Sequence, residues 1–125
     1  MKARRKSTKA ATAPAVTRGS KNVFADLGFP PVEAADLKIK AELTVKIYRR
    51  IKELGLTQVK AAEQLGISQP DVSKLMNGRF TGYSVDRLLM LLNALEMDVD
   101  IIVRPKHHTK NATPGVVRIL EPQLV

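Results

Sequence analysis

Along most of the chain apolar residues recur at helical intervals, and near its end they switch to strict alternation. Leu37, Ala41, Thr44, Ile47, Tyr48, Ile51 and Leu54 follow the period of a helix, with Lys and Arg on other faces and Gly55 as the stop. That spacing predicts a long first helix beyond Pro30-Pro31. A short second helix is expected from an N-cap at Thr57 to Leu65, with Gly66 free to take the left-handed conformation of a sharp turn. A third should follow at once. Ser68 can cap it, Pro70 is tolerated in a first turn whose N–H groups lack helical partners, and Asp71 completes a Ser-x-x-Asp box. This helix should end near Asn77-Gly78, after which Ser84 caps a fourth. The fourth carries Val85, Leu88, Leu89, Leu91, Leu92 and Leu95, too many apolar positions for a surface stripe, so it belongs in the core.

Past that helix Val99, Ile101 and Val103 alternate with Asp100, Ile102 and Arg104 until Pro105, the period of a β-strand. A lone strand leaves its backbone unsatisfied, and two partners are available. One is Val116 to Leu120, in a C-terminal extension over 106–125. The other, and the preferred one, is the same strand of a second subunit across a two-fold axis, which makes Val99, Ile101 and Val103 the expected dimerisation residues. Upstream of the prolines, Val23, Phe24, Leu27 and Phe29 should pack as a short apolar clip, and order is expected to begin at Asn22. Residues 1–21 show neither period and read as a disordered basic tail. The expected architecture is therefore mainly α: a four- to five-helix domain over 22–105, with a terminal strand.

The net charge is +9, and its distribution matters more than its sum. Residues 1–22 hold seven basic side chains and no acidic one, whereas residues 23–105 hold eleven of each sign. Attraction to a polyanion is thus concentrated in the tails, although a basic tail can also serve solubility alone. There are no cysteines, which suits a reducing cytosol and removes disulfides and thiolate metal sites. The longest apolar run, Leu88 to Leu92, falls far short of the ~20 residues of a membrane span, so a cytoplasmic, unexported protein without membrane contact is expected.

Two short helices joined by a few residues with Gly at the turn have the spacing of a helix-turn-helix, in which the first braces the second across the DNA major groove. Ala62 is small where the two must approach, and Ile67, Val72 and Leu75 return apolar groups behind the second. The other face offers Gln69, Pro70, Asp71, Ser73 and Lys74 for reading bases: Gln can pair with adenine, Lys with guanine N7 and O6, and Ser is permissive. Asp71 has an equally good reading as a helix cap, because a carboxylate beside phosphates is repelled unless it meets cytosine N4.

The stretch from Thr57 to Gly78 resembles the Cro and phage-repressor (XRE-type) helix-turn-helix. The wider pattern of Asn22-Val-Phe-Ala-Asp-Leu-Gly-Phe29, Gly78-Arg-Phe-Thr-Gly-Tyr-Ser84 and Val99-Asp-Ile-Ile-Val-Arg-Pro105 is similar to HigA-type antitoxins, over about residues 22–105. The resemblance implies phosphate contacts by Gln58 and, around the recognition helix, by Ser68, Arg79, Thr81, Tyr83, Ser84 and Arg87. Many relatives carry a polar base-reader where this chain has Pro70, so an apolar contact with a thymine methyl would replace a hydrogen bond there. It further implies a double-stranded operator bound by a homodimer, and a RelE-like toxin neutralised by a protein that represses their shared operon. A stand-alone repressor without a toxin, or a basic module binding RNA or ribosomes, are the alternative functions.

Catalysis is not expected. The chain has no nucleophile elbow, no Gly-rich phosphate loop and no His-Glu pattern on a helix. His107-His108 is the only histidine cluster and lacks further ligands at metal-binding spacing, so no metal or cofactor is expected. Tyr48 and the Arg49-Arg50 pair read as a core edge and a solvated face.

Overall fold

The structure, a computed structural model, describes residues 22–106 and 114–122. The basic tail expected over 1–21 and the His107-His108 pair lie outside these residues. Among the described residues five helices follow one another: α1 (Val23–Asp26), α2 (Pro31–Leu54), α3 (Gln58–Leu65), α4 (Gln69–Met76) and α5 (Val85–Ala94).

The caps explain where the helices begin. Thr57, Ser68 and Ser84 are all in the β region, and their hydroxyl oxygens accept from the N–H groups of Lys60, Asp71 and Arg87 respectively. Helix α2 instead starts on Pro31, whose missing N–H would have had no helical partner, and stops on Gly55 at φ 67°. The short α1, expected only as an apolar clip, is a helical turn because the Asn22 side chain accepts from Phe24 and Ala25 N–H. The same amide donates to the Ala34 carbonyl at 3.0 Å, tying α1 to α2. Phe24 and Phe29 close on each other edge to face, with centroids 6.1 Å apart, while Val23 and Leu27 stay outside.

One core joins α2, α3, α4 and α5. Ile47, Ile51, Val72, Leu75, Leu88 and Leu95 are its largest fully buried side chains, so α5 is as central as its composition implied. On α2 the buried stripe is Ala34, Ile39, Leu43, Thr44, Ile47 and Ile51, which keeps Thr44, Ile47 and Ile51 of the expected face and replaces the rest. Tyr48 is exposed, and Leu37, Ala41 and Leu54 are only half-buried. Both sets have helical spacing; the winner is decided by which side meets α4 and α5, a tertiary fact. Thr44 is the one buried polar residue among those described, and its hydroxyl donates to the Lys40 carbonyl at 2.8 Å.

The expected C-terminal strand is corrected: no strand occurs among the described residues. Val116 to Leu120 does not return to Val99–Arg104. It is drawn to α2 instead, where Ile119 packs on the core and Glu121 accepts from Lys46 Nζ at 2.7 Å. A ladder needs two backbones side by side, and among the described residues 99–104 has no strand partner. Val99, Ile101, Ile102 and Val103 are consequently exposed. Among the described residues no helix is long and apolar enough to cross a membrane.

Candidate nucleic-acid interface

The α3–turn–α4 unit is built from its buried side. Ala61 and Leu65 of α3 and Val72 and Leu75 of α4 face the core, and half-buried Ala62 and Ile67 pack against it. Gly66, at φ 73°, lets its own N–H and that of Ile67 both reach the Ala62 carbonyl, at 2.8 and 3.2 Å. The turn is therefore closed by backbone alone, and Ser68 caps the next helix two residues later.

With Val72 and Leu75 fixing the roll of α4, Gln69, Pro70 and Lys74 are exposed and Asp71 and Ser73 are half-buried. Of these residues, singled out from the sequence, Pro70, Ser73 and Lys74 point away from the core and Gln69 and Asp71 lie at its flanks. Asn77 joins the outward face. It was missed because Asn before Gly reads as a helix stop, yet it is exposed and its amide donates to the Ser73 carbonyl at 2.9 Å. The helical period counted on from Pro70 could have found it.

The loop after α4 is held at two points. Gly78, at φ 80°, takes the chain away from the helix, and Arg79 N–H returns to the Lys74 carbonyl at 2.8 Å. Phe80 and Tyr83 then pack on the core, so Arg79 and Thr81 are presented to solvent on an anchored segment. Tyr83 N–H donates to the Phe80 carbonyl at 3.0 Å. The Arg87 guanidinium stands over the Tyr83 ring, 5.3 Å from its centroid. Burial, and secondarily the charge of Asp71, push the Tyr83 phenol above its ordinary value, while Arg87 pulls the other way. The phenol thus keeps its proton and is a donor at neutral pH, and Asp71, Tyr83 and Arg87 act on one another where α4, the loop and α5 converge.

Two expected phosphate ligands have local duties. The oxygens of Ser68 and Ser84 are occupied as caps. The Ser84 hydroxyl and the N–H groups of Asp86 and Arg87 also hold the exposed Asp86 carboxyl below its usual range. Gln58 is the first residue of α3 and is half-buried. The expected dimerisation residues Val99, Ile101 and Val103 are exposed on the irregular segment after α5. Among the described residues no group of His, Asp and Glu is arranged to hold a metal ion.

A family described as a helix-turn-helix domain matches residues 23–104. The chain is a member of that family. A solved structure described as an XRE family transcriptional regulator is similar to this helix-turn-helix protein, at 36% sequence identity and a TM-score of 0.66. The similarity covers 72% of this chain and 99% of that one. It supports the XRE-type assignment that the stretch from Thr57 to Gly78 suggested. No curated relative matches the chain.

Proposed function

We propose that this helix-turn-helix protein is a sequence-specific DNA-binding transcription regulator that works as a non-enzymatic repressor. The observation that carries the reading is the fixed roll of α4: Val72 and Leu75 are buried, so Gln69, Pro70 and Lys74 stand on the outer face of a braced helix. In this reading α4 lies in the major groove, with Gln69 and Lys74 pairing with base edges and Ser73 and Asp71 at its margins. Gln58 at the start of α3, Ser68, Arg79, Thr81, Tyr83, Ser84 and Arg87 approach the phosphates, the last three around the start of α5. The basic tails add charge that strengthens binding without selecting sequence.

A second copy completes the reader. Val99, Ile101, Ile102 and Val103 are apolar and exposed side by side in the chain, and a two-fold dimer would cover them while setting two α4 helices about 34–36 Å apart. The finer reading is an antitoxin that represses its own operon in a bacterial cytoplasm, its partner a RelE-like toxin. It rests on the resemblance of residues 22–29, 78–84 and 99–105 to HigA-type antitoxins. Exposed Val23, Leu27, Phe29 and Val32 around α1 supply an apolar surface for that partner. The all-basic tail would be repelled by a basic ribonuclease and is the poorer contact.

The test is a fluorescence titration of the protein against its own upstream DNA and a scrambled duplex at two salt concentrations. A preference of ~10³-fold or more for the upstream DNA is expected. Equal and strongly salt-dependent binding to both would overturn the operator reading. Co-purification with the product of a neighbouring reading frame, lost when Val23, Leu27 and Val32 are changed to Ser, is expected of the antitoxin; a free protein beside no such frame would leave a stand-alone repressor.

A further inference from the structure

Helix α4 turns about 100° per residue, so the burial of Val72 and Leu75 fixes the direction of every other side chain on it. Gln69 and Asp71 then flank the core direction, Ser73 and Lys74 point well outward, and Pro70 lies nearly opposite the core. The residue that projects farthest from the first turn of α4 is therefore one with no hydrogen-bonding group. Pro70 has no N–H, its carbonyl belongs to the helix, and its exposed surface is three methylenes of the ring. The Asp71 N–H behind it is already taken by the Ser68 hydroxyl.

In the major groove, hydrogen-bonding atoms crowd every base edge, and the apolar exception is the C5 methyl of thymine. Setting Pro70 against any other edge would strip water from a donor or acceptor and return nothing. We infer that Pro70 is a specificity-determining residue that reads a C5 methyl at the centre of each half-site, flanked by the polar contacts of Gln69 and Lys74. This rests on the reading of α4 as the recognition helix. At that one position thymine and 5-methylcytosine offer Pro70 the same methyl, and uracil and unmethylated cytosine both lack it. Cytosine methylation at this base would then strengthen binding to a site that carries cytosine there.

The experiment uses the full chain and a duplex it binds selectively, replacing each thymine in turn by deoxyuridine, which removes one methyl and leaves every hydrogen-bonding atom in place. One thymine per half-site should show a loss of roughly threefold to fivefold in affinity, the value of one buried methyl group. Placing 5-methylcytosine rather than cytosine there should raise affinity by a similar factor. Pro70→Ala should bind the thymine and uracil duplexes alike at that base, with its helical circular dichroism unchanged. Uniform indifference to uracil overturns the inference, as does an undiminished uracil penalty in P70A, which would assign the methyl to another residue. A chain that fails to distinguish the parent duplex from a scrambled one refutes the recognition-helix reading itself, a result seen before any thymine is changed.

Discussion

The Arg50 side chain donates through Nε to the carbonyl oxygen of Leu95 at 2.9 Å, and so fastens the end of α5 to the long α2. From α3, Gln64 does the same for the Ala94 carbonyl at 3.1 Å. The last carbonyls of a helix have no partner within it, and a guanidinium there also meets the negative end of the helix dipole. Arg50→Ala should lower the free energy of unfolding by about 1–2 kcal/mol, as measured by urea titration, because it strips a charge-assisted bond from a carbonyl at the core's edge. Arg50→Lys should restore part of it. A variant as stable as the parent would show that solvent replaces the guanidinium without cost.

Glu96, the next residue, is the one non-glycine at positive φ among those described, at 65°. A side chain there costs roughly 1 kcal/mol or somewhat more. Glu96→Gly should therefore stabilise the protein, while Gly66→Ala at φ 73° should destabilise it by a similar amount. A Cβ on Gly66 would meet nothing within 4 Å, so that loss would come from the backbone alone. Thermal unfolding of the two variants should shift in opposite directions, and a shared direction would contradict this account.

Tyr83 titrates above its ordinary value of 10.0, and the charge of Asp71 is the second cause after burial. Asp71→Asn should bring the phenol's midpoint down, and Arg87→Ala should take it further up. Ultraviolet absorbance titration in a Tyr48→Phe background, which leaves Tyr83 as the only tyrosine, reads both shifts. An unmoved midpoint in D71N would separate Asp71 from the Tyr83–Arg87 stack.

Glu121 sits below its usual value of 4.5 because it accepts from Lys46 and faces that charge, with Arg49 adding to it. A depressed carboxyl stabilises its contact fully above its unfolded value and loses that contribution as pH falls through the folded one. Attachment of 114–122 to α2 should thus be constant above about pH 5 and weaken below 4.5. Amide protection in that segment, corrected for the slower intrinsic exchange in acid, should fall with acid in the parent, and Glu121→Gln should make it low at every pH. Protection that persists at pH 3 would assign the attachment to Ile119 alone.

The helix-turn-helix was legible because its signals are local. Caps at Thr57, Ser68 and Ser84, left-handed Gly66 and the Val72/Leu75 spacing each act within a few residues. What escaped the sequence depends on distant parts of the chain. Whether Ile39 and Leu43 or Leu37 and Ala41 line the core is settled by α4 and α5, and Arg50 finds its carbonyls 45 residues away. The alternation of Val99 to Arg104 states that a strand is permitted there, but pairing needs a neighbour, and Ile119 and Glu121 take the nearest candidate to α2. Asn22, whose side chain makes α1 a helix, bridges to Ala34 across two prolines, a contact no local pattern announces.

The central claim is that the outer face of α4 reads sequence, and the most direct measurement is the ratio of affinities for upstream and scrambled DNA in a Gln69→Ala, Lys74→Ala double variant. Both side chains are exposed and make no contact that holds the fold, so helix content and unfolding temperature should stay close to those of the parent. The predicted result is collapse of the ratio toward one, with affinity for scrambled DNA reduced only by the loss of one positive charge. A ratio that survives both substitutions in a folded protein would contradict the account and move sequence reading off α4.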